Sequence, residues 1–450
     1  MRRTCRNSKA LTTISAFFLS IILNTFIQAQ DRELIIVSPH WEGIQHEFGL
    51  AFEAHYEKQT GRTVQVRWRD LGGTGQIEKA LDASFRATPE SAQVDVFFGG
   101  GIDPFQSQKK NRQLLAYKLP EEILKHIPHS VGGFEIVDPD FEYYGAALSS
   151  FGVLENRRVV EIMKLPEVKT WEDLCHPQLF TWVSSSDPRK SGSAHMVYEI
   201  ILQAYGWEKG WQVIYQSSAN VRSFEQASSG ATKQVSLGEV AYAFAIDING
   251  MTQQAFLGSD NIRFSIPDGV SVINPDGIAI MKGAPNLDVA QAFLRFAMGP
   301  EGQALWMTPT GQPGGPVKFG ISRMGVWPEL YEGDMSRLLV PVNPFKIDFN
   351  FQYQTKLGSS RWGVVNDLMG QTVIDVHSHL VKAWKAVNKL PPERRSPLVA
   401  RLSEPFVTEA EAADLAKFWS KDKIRALKLG NQWMSRAVAR FNEIEKEAQP

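Results

Sequence analysis

Cysteine is scarce in this chain: 450 residues hold two, Cys5 and Cys175. Cys5 lies in a segment read below as a cleavable leader. That leaves Cys175 without an intramolecular partner and excludes a disulfide framework or a cysteine metal cluster. Beyond residue 30 no apolar run is long enough to span a bilayer. Basic tracts and basic-aromatic interleaving are missing too, and the formal net charge is −1, so nucleic acid is not an expected partner. The loop GGTGQ (72–76) is not a nucleotide-phosphate loop, because no Gly-Lys-Ser/Thr follows it. It also lacks the third glycine of a dinucleotide fingerprint. Repeats of fixed period and low-complexity tracts are absent.

What is present is the composition of a soluble globular protein, 43% hydrophobic and 22% charged, in a chain long enough for two or three domains. The first thirty residues stand apart. MRRTCRNSK carries Arg2, Arg3, Arg6 and Lys9 with no acid, ALTTISAFFLSIILNTFI is apolar, and IQAQD supplies Ala29 before charge resumes. That order predicts a signal peptide over 1–29 and a periplasmic protein, with an uncleaved anchor as the alternative. Cys5 precedes the apolar run, so it is not a lipoprotein cysteine.

From residue 33 short apolar runs alternate with amphipathic segments. ELIIV (33–37), VQVRW (64–68) and VDVFF (94–98) read as strands, each ending in a Ser-Pro or glycine-rich loop before helical spacing begins. Strand, loop, helix and strand in short succession predict an open, mainly parallel α/β sheet, with ligands beyond the carboxyl ends of the strands. A second unit repeats the pattern with FTWVS (180–184) and EVAYAFAI (239–246). Crossings between the units fall near 145–154 and 268–284, and VSVINPDGIAIMKGA (270–284) reads as a strand pair. Residues 305–370 are rich in Pro, Gly and aromatics and read as loops with short helices over the first unit; from 371 the chain is helical. The domains expected are therefore a signal peptide (1–29), lobe 1 (30–148 and 275–370), lobe 2 (149–274) and a helical extension (371–450).

The candidate site starts from SDPRKSGSAHM (186–196). A serine hydrolase needs a G-x-S-x-G elbow, and here Ala194 and His195 follow Ser193, so the second glycine is missing. A helix N-terminus instead exposes unpaired N–H groups and partial positive charge. Ser191 and Ser193 add hydroxyls, Gly192 lets a ligand approach, and Arg189 or Lys190 can add charge; plain N-capping by serine is the competing reading. Gly73, Thr74 and Gly75 offer a second such helix start, with a tight turn as its competing reading. Ser38, Gly99, Gly100 and Asp247 occupy similar strand-end places. Convergence of these loops on one cleft points to an anionic or polyhydroxy solute. QTVIDVHSHL (371–380) looks like the His-x-His strand of metal-dependent amidohydrolases, but too little chain follows for a barrel, so His377 and His379 read as packing or surface residues.

ELIIVSPHWEG, VDVFFGGG, YYGAALSSFGVLEN, TWEDLCHP, SDPRKSGSA, LGEVAYAFAID and INPDGIAIMKGAPN, in that order over roughly 33–315, resemble bacterial extracellular solute-binding proteins of ABC transporters. The resemblance is nearest to the branch of ferric-iron-binding and phosphorylated-solute-binding proteins. It implies a type 2 periplasmic-binding fold of two lobes closing on ligand, no catalysis, no cofactor, a monomer, and delivery to a membrane permease with its ATPase. It matches Ser191, Gly192 and Ser193 to the family's anion-binding segment and places His40 near a family ligand position; with the strand-end and loop reading above, the expected ligand contacts are Ser38, His40, Gly73, Thr74, Gly75, Gly100, Ser191, Gly192, Ser193 and Asp247. Ferric-binding relatives use paired tyrosines where this chain has Asp247-Ile248-Asn249; iron here would fall to His40, Asp103 and Asp247. An organic anion (phosphate ester, phosphonate or carboxylate) is therefore the expected cargo, with ferric iron as the alternative and a secreted hydrolase using Ser193 or a cleft metal as the rival class.

Overall fold

The computed structural model describes residues 32–347 and 350–449; the expected signal peptide lies outside the described residues. The first lobe alternates β1 (Arg32–Val37), α1 (Glu42–Thr60), β2 (Val64–Arg69), α2 (Thr74–Ala87), β3 (Val96–Phe98) and α3 (Asp103–Lys110). Both β2 and β3 run parallel to β1. In α1 the apolar residues Ile44, Phe48, Phe52 and Tyr56 recur every fourth position and are buried together. Phe48 packs on Trp306 with ring centroids 4.4 Å apart.

A fully buried strand, β4 (Tyr144–Asn156), leads out of this lobe. The second lobe follows: β5 (Val183–Ser186), α4 (Gly192–Tyr205), α5 (Trp207–Ala219), β6 (Val221–Glu225), α6 (Ser228–Ser236), β7 (Tyr242–Ile246), α7 (Asp247–Leu257) and β8 (Ile262–Ser265). β9 (Ile273–Met281) returns, and α8 (Leu287–Met298) and α9 (Pro300–Met307) complete the first lobe. The strand order is β2-β1-β3-β9-β4-β7-β5-β6, with β8 also on β4. Along β4 the partner changes: up to Ser150 it pairs antiparallel with β9, and from Phe151 with β7. One continuous strand thus carries both lobes.

Residues 270–284 form one strand rather than the expected pair. The Pro-Asp-Gly that suggests a turn lies at a register shift between Asp276 and Gly277, a bulge that keeps β9 extended between β3 and β4. The segment 305–370 also differs from expectation, because it ends in a 15-residue helix, α10 (Thr355–Met369). A π-helical turn (Gly370–Ile374) follows, then α11 (His377–Val387), α12 (Pro392–Leu402), α13 (Glu409–Trp419) and α14 (Lys423–Glu447).

Of these helices, α10 packs on α4 and α11 on α5, both in the second lobe. Val364, Trp384 and Phe441 share one core with Val197, Ile201 and Trp211. Buried polar contacts reinforce the apolar ones. Arg361 donates to Glu199 at 2.8 Å and to Glu409 at 2.6 Å. Trp384 donates to Asn220 at 2.8 Å, and Tyr215 meets Thr372 at 2.6 Å. His377 bonds the Ser218 carbonyl and His379 bonds Asn442, so both serve packing.

Candidate functional site

Between the lobes lies a cavity of about 350 Å³, a size typical of small-molecule sites and far larger than one bound water. The N-termini of α1, α2, α3, α4, α6 and α7 all open on it. The cause is topological: each of these helices follows the carboxyl end of a strand, and those ends face each other across β4 and β9. Backbone N–H groups in a first helical turn have no intrahelical acceptor, so the walls concentrate donors and partial positive charge.

Local sequence sets how many of those donors are free. At α2 the Gly73 N–H donates to Gln76 Oε1 at 2.8 Å. Gly72 has φ +85°, a conformation that favours glycine, and a Cβ there would push the Gln76 side chain away from the Gly73 N–H. At α4, Ser191 accepts from the Ala194 N–H at 3.3 Å, leaving the Gly192 and Ser193 N–H groups at the cavity wall. At α6 the N-cap is Ala227, which makes no side-chain cap, and Ser228 and Ser229 open the helix. A Cβ on Gly73 would lie 4.0 Å from the Lys190 carbonyl, so the α2 and α4 loops face each other closely across the cleft.

α3 is different. Gly99, Gly100 and Gly101 all have positive φ, and a Cβ at Gly99 would strike the His40 ring at 2.5 Å. This turn aims the Gly100 and Gly101 N–H groups at Asp276 Oδ1, 2.7 and 2.8 Å away. Asp276 Oδ2 accepts from His40 Nε2 at 2.7 Å and pairs with Arg323, which also donates to Ser149. Burial would raise the Asp276 carboxyl, but the Arg323 charge and these hydrogen bonds outweigh it and hold the group well below its usual range. Burial likewise pulls His40 below its ordinary value, so the cluster is a neutral imidazole beside a balanced ion pair. Asp103 is pushed up to about 7 by burial, with Glu199 and Glu78 adding like charge.

The structure brings most of the sequence-predicted residues together. His40, Gly73, Thr74, Gly75, Gly100, Ser191, Gly192 and Ser193 line the cavity, as does Asp103. Two do not. Ser38 is buried behind it, its hydroxyl accepting from the His40 N–H. Asp247 turns its carboxylate to the Ser150 N–H at 2.6 Å, on the strand where β4 changes partner. Burial lifts that carboxyl to about 6 despite the Arg323 charge. His40, Asp103 and Asp247 therefore do not converge as iron ligands. Among the described residues, the trio of acids close enough to share an ion is Asp138, Asp140 and Glu142. Lys109 sits among them, 2.7 Å from both aspartates. His195 does not serve Ser193 as a base: it bonds Asn366 at 2.6 Å and stacks on Trp362 at 3.5 Å, and burial lowers it to about 3.

Sequence reading missed Arg323, Asn274, Asp276 and Trp362, all of which line the cavity. Asp276 and Asn274 sit in the quoted INPDG, whose turn-like look concealed a strand. Of the basic pair, Lys190 lines the cavity, whereas Arg189 is clamped by Asp187 and Asp375.

A two-lobed fold with its cavity at converging helix N-termini is that of a solute receptor, and the chain belongs to the bacterial extracellular solute-binding protein family, whose profile matches residues 91–318. It is similar to the phosphoglycerate transport regulatory protein PgtC of Salmonella typhimurium, 26% identical over 242 residues, or 53% of this chain and 57% of that protein. The chain thus spans little more than half the length of that relative. A sulfate-binding protein of Escherichia coli is 22% identical over 63% of this chain and 80% of its own. Among solved structures, the periplasmic binding protein P5PA superposes with a TM-score of 0.58 at 21% identity, covering 75% of this chain and 98% of its own. The periplasmic binding protein AfuA of Actinobacillus pleuropneumoniae, with fructose-6-phosphate bound, gives 0.56 at 17% identity over 80% and 100%. These likenesses establish the type 2 periplasmic-binding fold. Among the described residues no helix is long and apolar enough to cross a membrane.

Proposed function

We propose that this chain is the substrate-binding component of an ABC transporter, working in the periplasm as a monomer. It would capture a small organic anion between its lobes and deliver it to a membrane permease and its ATPase. The observation that carries this reading is the convergence of helix N-termini on one cavity, with the Gly73–Gly75 and Ser191–Ser193 loops opposed across it. Anion binding at such termini needs no further charge, and the cavity is too roomy for an inorganic oxyanion alone. A relative named as a regulatory protein of phosphoglycerate transport, and a structural neighbour with fructose-6-phosphate bound, support a phosphorylated cargo.

In this reading the lobes are 30–148 with 275–354, and 149–274, the α10–α14 helices being built onto the second. Ligand contacts from both lobes exist together only in the closed state, so binding shifts the population toward closure. His40, Thr74, Gly100, Ser191 and Ser193 would contact ligand, while Ser38 and Asp247 would hold the surrounding backbone. Substituting Ser193→Asp places a carboxylate at the α4 N-terminus. Calorimetry with glycerol 3-phosphate and inorganic phosphate should then show binding lost, while circular dichroism stays that of the native chain. Undiminished binding would remove this loop from the site.

A further inference from the structure

Among the described residues, those lining the cavity run no further along the chain than Arg323, with one exception. Trp362 sits on α10, in the C-terminal helical region and past the last residue matched by the family profile. It is part-exposed, whereas the apolar lining residues Met196 on α4 and Phe151 on β4 are only 4% and 2% exposed. The indole is thus apolar surface that a ligand can cover.

Its place is fixed by its neighbours. The ring stacks on His195 with centroids 3.5 Å apart and planes 25° from parallel. One helical turn on, Asn366 holds the same imidazole at 2.6 Å, and one residue earlier Arg361 donates to Glu199 at 2.8 Å. His195 is wholly buried, and burial keeps it neutral, so the indole rests on a flat, uncharged ring that is itself held. A side chain fixed in this way loses little rotamer freedom when a ligand covers it.

The position along α4 gives this surface its meaning. The His195 N–H donates to the Ser191 carbonyl at 3.1 Å. The imidazole under Trp362 therefore starts one helical turn, about 5.4 Å, beyond the Ser191 cap. An anion held at the Ser191–Ser193 loop brings the atoms attached to it toward the indole. An inorganic oxyanion has no such atoms.

We infer that Trp362 is a specificity-determining residue: it packs against the ligand's carbon skeleton and selects organic anions over inorganic ones, so that the C-terminal helical region takes part in recognition. The inference rests on the anion-binding reading above. It concerns how the rest of the ligand is chosen, not how its charge is held.

Calorimetry on the full chain stripped of ligand provides the test, with two series of probes. One is inorganic phosphate, methyl phosphate, propyl phosphate and hexyl phosphate; the other is acetate, butyrate and hexanoate. In at least one series the affinity of the native chain should rise with the alkyl group, because a longer group covers more of the indole. Trp362→Ala should cut affinity for the tightest organic probe about tenfold and leave inorganic phosphate or acetate unchanged. Trp362→Phe keeps a ring on His195 and should restore most of the gain. The same probe should also change the tryptophan emission of the native chain, and that change should be largely lost in Trp362→Phe. Circular dichroism checks that each variant is folded. An equal loss for short and long probes would make Trp362 a prop for α10 and overturn the inference, leaving the anion reading intact. Unchanged affinity in Trp362→Ala would overturn it too. If the native chain binds no member of either series, the anion reading fails and the inference falls with it.

Discussion

Asp103 shows how a single side chain in this cavity links packing to pH. Its carboxyl is raised to about 7 by burial first, then by the like charges of Glu199 on α4 and Glu78 on α2. Tyr353, on the chain entering α10, also faces it. A carboxyl raised above its unfolded value holds a proton in the folded state that the unfolded chain has already released. Its contribution to stability is therefore present at low pH and lost as pH rises from about 4 to about 7. Asp103→Asn should remove that slope, and urea unfolding of wild type and variant across pH 4–8 should converge at acid pH and diverge above neutrality. Parallel curves would mean that the group is solvated. The His40–Asp276–Arg323 cluster was harder to find from sequence than Asp103, because Arg323 lies 283 residues from His40 in an irregular stretch without periodicity. Asp247 illustrates the converse. Its strand-end position was legible, but nothing in AFAIDING tells which way the carboxylate turns, and it faces the backbone of β4.

At the scale of elements, strands and helix starts were legible because alternation, helical spacing and Ser or Gly loops are local signals. Partner choice was not. The helix Thr355–Met369 hides its period because polar Arg361 and Asn366 sit on its buried face, where Glu199 and His195 satisfy them. Through this helix the C-terminal region reaches the cavity between the lobes, since Trp362 stacks on His195 and lines the wall. The Arg361–Glu199 pair is almost wholly buried. Removing one partner strands the other charge, so Arg361→Met alone should destabilise the chain by about 3–5 kcal/mol. Adding Glu199→Gln should recover most of that loss in chemical denaturation. An equal or greater loss in the double variant would show that the pair is not what holds α10 on α4.

The whole molecule is two lobes on one shared strand, β4, with β9 returning the chain to the first lobe and the α10 and α11 helices packed on α4 and α5 of the second. On the proposed function, ligand contacts made from the strand ends of both lobes would couple binding to closure. The most direct test is a thermal-shift screen of the ligand-stripped chain against ferric iron and small phosphorylated and carboxylated solutes, since a ligand of the native state raises the melting temperature by mass action. The expected result is a rise with a small organic anion, lost in Ser193→Asp, and none with iron. A rise with ferric iron alone would contradict the account.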